Sequence, residues 1–160
     1  MIANLLLLLT AAIWGFGFVA QVLGMNYLEP FAFIGARFVL GALSLLPVIW
    51  YLQRQEITAG PGIGYLIYAS CVLGTILFAA SSFQQVGLLY TTASNAGFIT
   101  GMYMVFVPIF GLMLGMATSL VTWLGCIVAA TGLFMLGVND RYEMGYGDLL
   151  QLAGAGIWAA

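Results

Sequence analysis

Five long, uninterrupted apolar runs dominate this sequence, and each is long enough to cross a lipid bilayer as a helix. They cover approximately 3–24, 31–52, 63–85, 93–115 and 120–138, and they contain a single charged residue, Arg37. About 20 apolar residues span roughly 30 Å of hydrocarbon, where only helices and closed barrels satisfy the backbone. Because the runs are continuous and do not alternate with polar residues, they favour helices. We therefore predict an all-α polytopic membrane protein.

Charge is too scarce for most soluble functions. The 160 residues carry three Arg, five acidic residues and no His, whereas a soluble domain is about a quarter charged. A nucleic-acid partner is excluded because it requires a basic surface. The absence of His removes the commonest general base and most zinc and haem ligation. Since Cys71 and Cys126 both lie inside apolar runs, we expect no disulfide, metal, cofactor or enzyme activity.

A short internal repeat links the two ends of the sequence. Residues 148–160 align with residues 4–16 at an offset of 148 − 4 = 144, and the match includes Ile13-Trp14 with Ile157-Trp158. Because a repeat of five spans has an odd number of membrane crossings, the second copy would enter the membrane from the opposite side. Inverted repeats of this kind are typical of secondary transporters.

The repeat predicts how the chain is divided. We expect a five-helix repeat at 1–138, a polar connection at 139–147 and the truncated start of a second repeat at 148–160. The 13 residues from 148 to 160 span only about 20 Å, at 1.5 Å per helical residue. The chain therefore corresponds to about half of an inverted-repeat transporter.

Two arginines favour opposite orientations of the chain across the membrane. Arg54 and Arg141 each favour the cytoplasm, but three predicted spans separate them, so both cannot lie there. Such a chain could insert in both orientations. Its partners, besides the lipid bilayer and a small-molecule substrate, could be the missing C-terminal repeat or a second copy in an antiparallel dimer.

Six short motifs follow one another along the chain in a characteristic order. They are Trp14-Gly15, Pro30 with Arg37-Phe38, Tyr90-Thr-Thr-Ala-Ser94, Pro108, Trp123-Leu-Gly125 with Gly132, and Asp148-Leu-Leu with Trp158. Together they resemble the EamA-like branch of the drug/metabolite transporter superfamily. The resemblance implies a ten-helix transporter of small metabolites, with export favoured, in a bacterial inner membrane with a cytoplasmic N terminus. One segment departs from the family: Gly115-Met-Ala-Thr118 stands where members commonly carry Gly-Glu.

Polar and aromatic side chains inside the spans are the candidates for substrate binding: Trp14, Arg37, Gln84, Gln85, Asn95 and Tyr103. A charge at the depth of Arg37 is costly unless it is paired or snorkels, so its partner is either backbone carbonyl groups or an anionic substrate group. Trp14 could pack against other helices or face a cavity. Gln84 and Gln85 either cap their helix at the interface or line a cavity mouth beside Asn95.

The fourth run carries a ridge of small residues that allows close helix packing. The ridge comprises Ala93, Gly97 and Gly101, extended by Gly111 and Gly115. The opposite face is also suited to protein contact, so we predict a central helix. Pro108 removes an intrahelical hydrogen bond, which makes it either a hinge for alternating access or a tolerated kink.

Two other functions compete with transport of a small metabolite such as an amino acid. The chain could be a non-transporting scaffold or degenerate half-transporter. Gly145-Tyr-Gly-Asp148 also matches the Gly-x-Gly-Asp of intramembrane aspartyl proteases, which need two carboxylates at membrane depth. Asp148 is better explained as the N-cap of a sixth helix.

Overall fold

In the computed structural model, the residues described are 2–53, 62–137 and 145–160, and they form α-helices joined by short turns and loops. The helices are α1 (Ile2–Gly24), α2 (Pro30–Gln53), α3 (Ile63–Gly87), α4 (Ala93–Gly101), α5 (Tyr103–Met113), α6 (Leu120–Gly137) and α7 (Tyr146–Ala159). The predicted polar connection at 139–147 falls largely outside the described residues.

Length and hydropathy identify membrane-spanning segments in the described part of the chain. Four segments are long and apolar enough to cross a bilayer. They are α1, the part of α2 that ends at Tyr51, α3, and α4 together with α5. The apolar stretch of α6, Leu120–Gly132, is shorter. Most large apolar side chains on these helices are exposed, as expected for surfaces that contact lipid. The prediction of an all-α polytopic membrane protein is confirmed.

The fourth span is divided into two helices at Met102, six residues before Pro108, the predicted hinge or kink. The Met102 N–H donates to the carbonyl of Ile99, 3.0 Å away, which is the tighter i to i−3 pattern. Pro108 lies buried inside α5, where it cannot donate to the carbonyl of Met104, four residues earlier. The Cys126 thiol, 3.4 Å away on α6, donates to that carbonyl instead.

This contact predicts a measurable coupling between Cys126 and Pro108. Replacing Cys126 with Ala removes this donor to the Met104 carbonyl and should lower the free energy of unfolding by about 1 kcal/mol. Cys126→Ser, which keeps a donor, should cost less. In a Pro108→Ala background the restored N–H binds the carbonyl, so Cys126→Ala should become nearly silent. Detergent unfolding titrations test this cycle, with Cys71→Ala as the exposed control; equal costs in both backgrounds would contradict it.

The centre of the helix bundle is formed by α3, α4 and α7. Helix α7 packs along α3 and also contacts α4 and α5, while α4 contacts α1 and α6 as well. Two glycines bring the α3 and α7 backbones together: a Cβ atom on Gly147 would lie 2.7 Å from the carbonyl oxygen of Gly87. Helix α4, the first part of the fourth helix that was predicted to be central, thus contacts α1, α6 and α7.

The predicted small-residue ridge contributes less close packing than the α3–α7 contact. A Cβ atom on Gly97 would lie 4.0 Å from Phe18 on α1, and one on Gly111 would lie 3.8 Å from Met116, both ordinary contact distances. Gly115 follows α5 with φ of 77°, a left-handed conformation that favours glycine. Ala93 and Gly101 are both half-buried.

The start of α7 is fixed by Asp148, but not as the helix N-cap. Gly145 is the N-cap, and the Asp148 carboxylate three residues later accepts from the Gly145 N–H at 3.0 Å. The N-cap assignment from the sequence was therefore wrong by three residues. The other carboxylate oxygen of Asp148 accepts from the Thr91 hydroxyl at 2.6 Å. Asp148 thus joins α7 to the loop ahead of α4, a structural role that accounts for its carboxylate. The protease hypothesis also needs a second carboxylate, and the nearby Asp140 lies outside the described residues.

Candidate functional site

A cavity of about 500 Å³ lies where α1, α2, α3, α4 and α7 meet. Its lining combines aromatic and apolar side chains with a few polar groups: Ile13, Trp14, Gly17, Phe18, Ala20, Gln21, Phe33, Arg37, Gln84, Thr100 and Trp158. Trp14, Gly17 and Gln21 fall on one face of α1 because they are spaced by three and four residues. Volume and composition are those of a site for a small molecule.

Two tryptophans meet at this cavity. The rings of Trp14 on α1 and Trp158 on α7 make an edge contact with centroids 6.4 Å apart. The same two residues are equivalent in the internal repeat, since 158 − 14 = 144. Tyr103 makes a similar edge contact with Trp14, at 6.1 Å. Equivalent positions of the repeat therefore lie side by side at the cavity wall.

A buried hydrogen-bond network holds one wall of the cavity. The Gln151 amide of α7 donates to the backbone carbonyl of Gln84 at 2.7 Å and accepts from the Thr100 hydroxyl at 3.2 Å. The Trp158 indole donates to the side-chain oxygen of Gln84, also at 3.2 Å. In the described part of the chain the Gln84 amide nitrogen makes no hydrogen bond, so a donor stays available at the cavity.

Arg37 has weak partners for a guanidinium inside a membrane span. It lies 3.4 Å from the Ser81 hydroxyl and 5.4 Å above the ring of Phe38. Across residues 2–53, 62–137 and 145–160 no carboxylate pairs with it. The acidic side chains there are Glu29, exposed in the α1–α2 turn, and the engaged Asp148. The cavity therefore contains a positive charge without a counterion from the described residues.

Two buried glutamines keep unpaired amide atoms. Gln21 donates to the Gly17 carbonyl at 3.1 Å, but its side-chain oxygen has no partner in the described part of the chain. Neither side-chain amide atom of Gln85 has one there either. An unpaired buried amide costs about 1–3 kcal/mol. Only Gln21 lines the cavity; Gln85 does not.

Comparison with known proteins identifies the family. The model of the EamA-like transporter family matches residues 1–138. This chain belongs to the EamA-like transporter family. The resemblance drawn from the sequence motifs is confirmed.

Two archaeal relatives extend the similarity of this EamA-like chain. An uncharacterized transporter of Archaeoglobus fulgidus is 33% identical over 162 residues, covering 94% of this chain and 44% of the relative. A second uncharacterized transporter of that organism is 29% identical over 163 residues, covering 98% and 54% respectively. The chain thus spans about half the length of these curated relatives. No solved structure matches it significantly.

The EamA-like fold brings together three of the six residues proposed from the sequence. Trp14, Arg37 and Gln84 line the cavity, and Tyr103 contacts the ring of Trp14. Asn95 is in the first turn of α4, where its backbone N–H donates to the Thr92 hydroxyl, and its side chain is not part of the cavity lining.

Sequence reasoning missed several polar residues of this EamA-like site, namely Gln21, Ser81, Thr100 and Gln151. Gln21, near the end of α1, is almost completely buried and lines the cavity. The spacing of Gln21 and Trp14, seven residues apart, could have identified a shared helix face. Hydroxyl groups of Ser81 and Thr100 give no comparable signal, since such residues often bond their own helix.

Proposed function

We propose that the full-length protein transports a small metabolite across the membrane through this cavity by alternating access, with export as its direction. The observation that carries the proposal is the mixed lining of the cavity: Arg37, Gln21 and Gln84 present polar groups between aromatic walls. A site of this kind binds a small polar solute, and polar groups at membrane depth commonly mark solute pathways. Membership of a transporter family supports the same conclusion.

The break in the fourth span supports a moving part. Met102 separates α4, which contacts α1 and α7, from α5, which also contacts α7 and contains Pro108. Interrupted helices at the midplane are a common feature of secondary transporters. We propose that Met102, between α4 and α5, and Pro108, within α5, together form the hinge.

A second repeat would complete the pathway. Since the curated relatives are about twice as long as the match, we propose that this repeat belongs to the full-length protein, with an antiparallel second copy as the alternative. The equivalent residues Trp14 and Trp158 in contact support an axis of symmetry close to the cavity. We place the protein in the cytoplasmic membrane with its N terminus in the cytoplasm. The connection between α2 and α3, which contains Arg54, then also lies in the cytoplasm.

Solute flux in proteoliposomes tests the function. We expect the full-length protein to release a preloaded small metabolite, such as an amino acid, faster than empty liposomes do. The solute should emerge chemically unchanged. A protein that folds and inserts but moves no member of a broad metabolite panel would support the scaffold alternative and contradict the proposal.

A further inference from the structure

We propose that Gln85 is a second partner of Arg37, and that the two side chains meet when α2 slides by one helical turn along α3. Gln85 is fully buried, yet neither atom of its side-chain amide has a hydrogen-bond partner in the described part of the chain. The proposal rests on the proposed alternating access, and it assigns one movement of that cycle to named residues.

The contact between Arg37 and Ser81 is weak, and Gln85 lies one turn away from it. The guanidinium is 3.4 Å from the Ser81 hydroxyl, whereas a good N–H···O hydrogen bond is about 2.9–3.0 Å long. Ser81 and Gln85 are four residues apart on α3, so they share a face of the helix and lie about 6 Å apart along its axis. The Gln85 side-chain oxygen can accept from a guanidinium that moves by this distance.

Polar and apolar side chains are mismatched at the level of Gln85. Because α2 and α3 are consecutive spans, they run antiparallel, and the turn of α2 before Arg37 is level with the turn of α3 after Ser81. Ile34, three residues before Arg37, therefore lies at about the depth of Gln85. Ile34 is fully buried, and an apolar side chain cannot satisfy a buried amide.

A shift of one turn improves both levels of this contact. When α2 moves toward the C-terminal end of α3, Arg37 comes level with Gln85. The same shift brings Ile34 level with Leu88, a buried apolar residue three positions after Gln85. The amide then accepts from a charged donor, and two apolar side chains face each other. One-turn movements between packed elements are an established form of conformational switching.

The packing of α1 and α2 connects this movement to the cavity. Among the described helices, α2 packs mainly against α3, and α1 packs mainly against α4. The ring of Phe33, at the start of α2, lies against Gly24 at the end of α1, so α1 should follow α2. Since Trp14 and other residues of α1 line the cavity, a sliding α1–α2 pair would change the shape of the cavity.

Stability and transport should respond differently to Gln85→Met in the full-length protein. Methionine is similar in size but has no amide, so the midpoint of unfolding in a denaturing detergent should stay the same or rise. Flux should nevertheless fall by about tenfold, which corresponds to the loss of one hydrogen bond to a charged group. Unchanged flux in a protein that is as stable as the wild type would overturn the proposal.

Cross-linking reports the position of α2 and does not require transport. The background is full-length protein with all native cysteines replaced by serine. Ile34→Cys with Leu88→Cys should be linked by a short bifunctional thiol reagent, because these positions are level only after the shift. Adding Gln85→Glu, which offers Arg37 an ion pair, should increase the linked fraction severalfold, and adding Gln85→Met should decrease it.

Two controls show whether the cross-link reports the exchange of partners. Leu77 lies on the same face of α3, eight residues before Gln85, which is about 12 Å along the axis; Ile34→Cys with Leu77→Cys should therefore not be linked. In an Arg37→Met background, substitutions at position 85 should no longer change the linked fraction for positions 34 and 88. A linked fraction that is independent of position 85, or that depends on it equally without Arg37, would overturn the proposal.

Flux measurements on the same preparations distinguish this proposal from the proposed function. The expected cross-linking pattern without flux of any metabolite would retain the exchange of partners and contradict transport. Flux that Gln85→Met leaves unchanged, with no cross-link between positions 34 and 88, would retain transport and overturn the proposed movement.

Discussion

Replacing Gly17 with Phe is expected to reduce transport by about tenfold or more, which corresponds to at least about 1.4 kcal/mol in solute binding. Gly17 lines the cavity on α1, and a Cβ atom there would meet no other atom within 4 Å. The aromatic ring therefore enters space that we assign to the solute, without displacing a neighbouring helix. Flux of the transported metabolite, normalised to inserted protein, gives the result.

Gly15 provides the matched control for this substitution. It is exposed two residues earlier on α1, also has no atom within 4 Å of its Cβ position, and does not line the cavity. Two residues correspond to about 200° around the helix, so Gly15→Phe should project away from the cavity and retain transport. Similar losses in both variants would show that the effect is structural.

Replacing Gly147 with Val is expected to lower the free energy of unfolding by about 3 kcal/mol, at the upper end of the range for overpacking. A Cβ atom at this position would lie 2.7 Å from the Gly87 carbonyl oxygen and 2.8 Å from the Tyr90 backbone. Both neighbours are close to the end of α3, so neither can rotate away as a flexible side chain would. Helix α7 must then separate from α3.

The midpoint of unfolding in a denaturing detergent measures this loss, and Gly156→Val is its control. Gly156 lies on the same helix, with no atom within 4 Å of its Cβ position, so the control should be neutral or slightly stabilising because valine favours a helix more than glycine does. A Gly147→Val protein as stable as Gly156→Val would contradict the observed α3–α7 contact.

The apolar runs predicted the helices well because hydropathy and length alone determine a membrane span. Prediction was weaker where a result depends on which face of a helix meets a neighbour. The ridge of Gly97 and Gly111 indicated close packing, yet neighbouring helix backbones approach more closely at Gly87 and Gly147. These glycines are 60 residues apart in the sequence, since 147 − 87 = 60. No periodic pattern within one helix reveals such a pair.

The cavity was predictable only in part for the same reason. Arg37 was conspicuous because a charge in a span is costly, and Trp14 was linked to Trp158 by the repeat. Gln21, by contrast, was indistinguishable from an interfacial residue until the packing of α1 against its neighbours was known. Whether an amide finds a partner depends on the tertiary structure, as the difference between Gln84 and Gln85 shows.

Thiol accessibility at the cavity tests most directly whether it is the solute site. In a protein with Cys71 and Cys126 replaced by Ser, Gly17→Cys should react with a small water-soluble thiol reagent, and the transported metabolite should slow that reaction. Gly15→Cys should react slowly and show no protection. Equal reactivity at both positions, or modification of Gly17→Cys at a rate independent of the metabolite, would contradict the assignment of this cavity to transport.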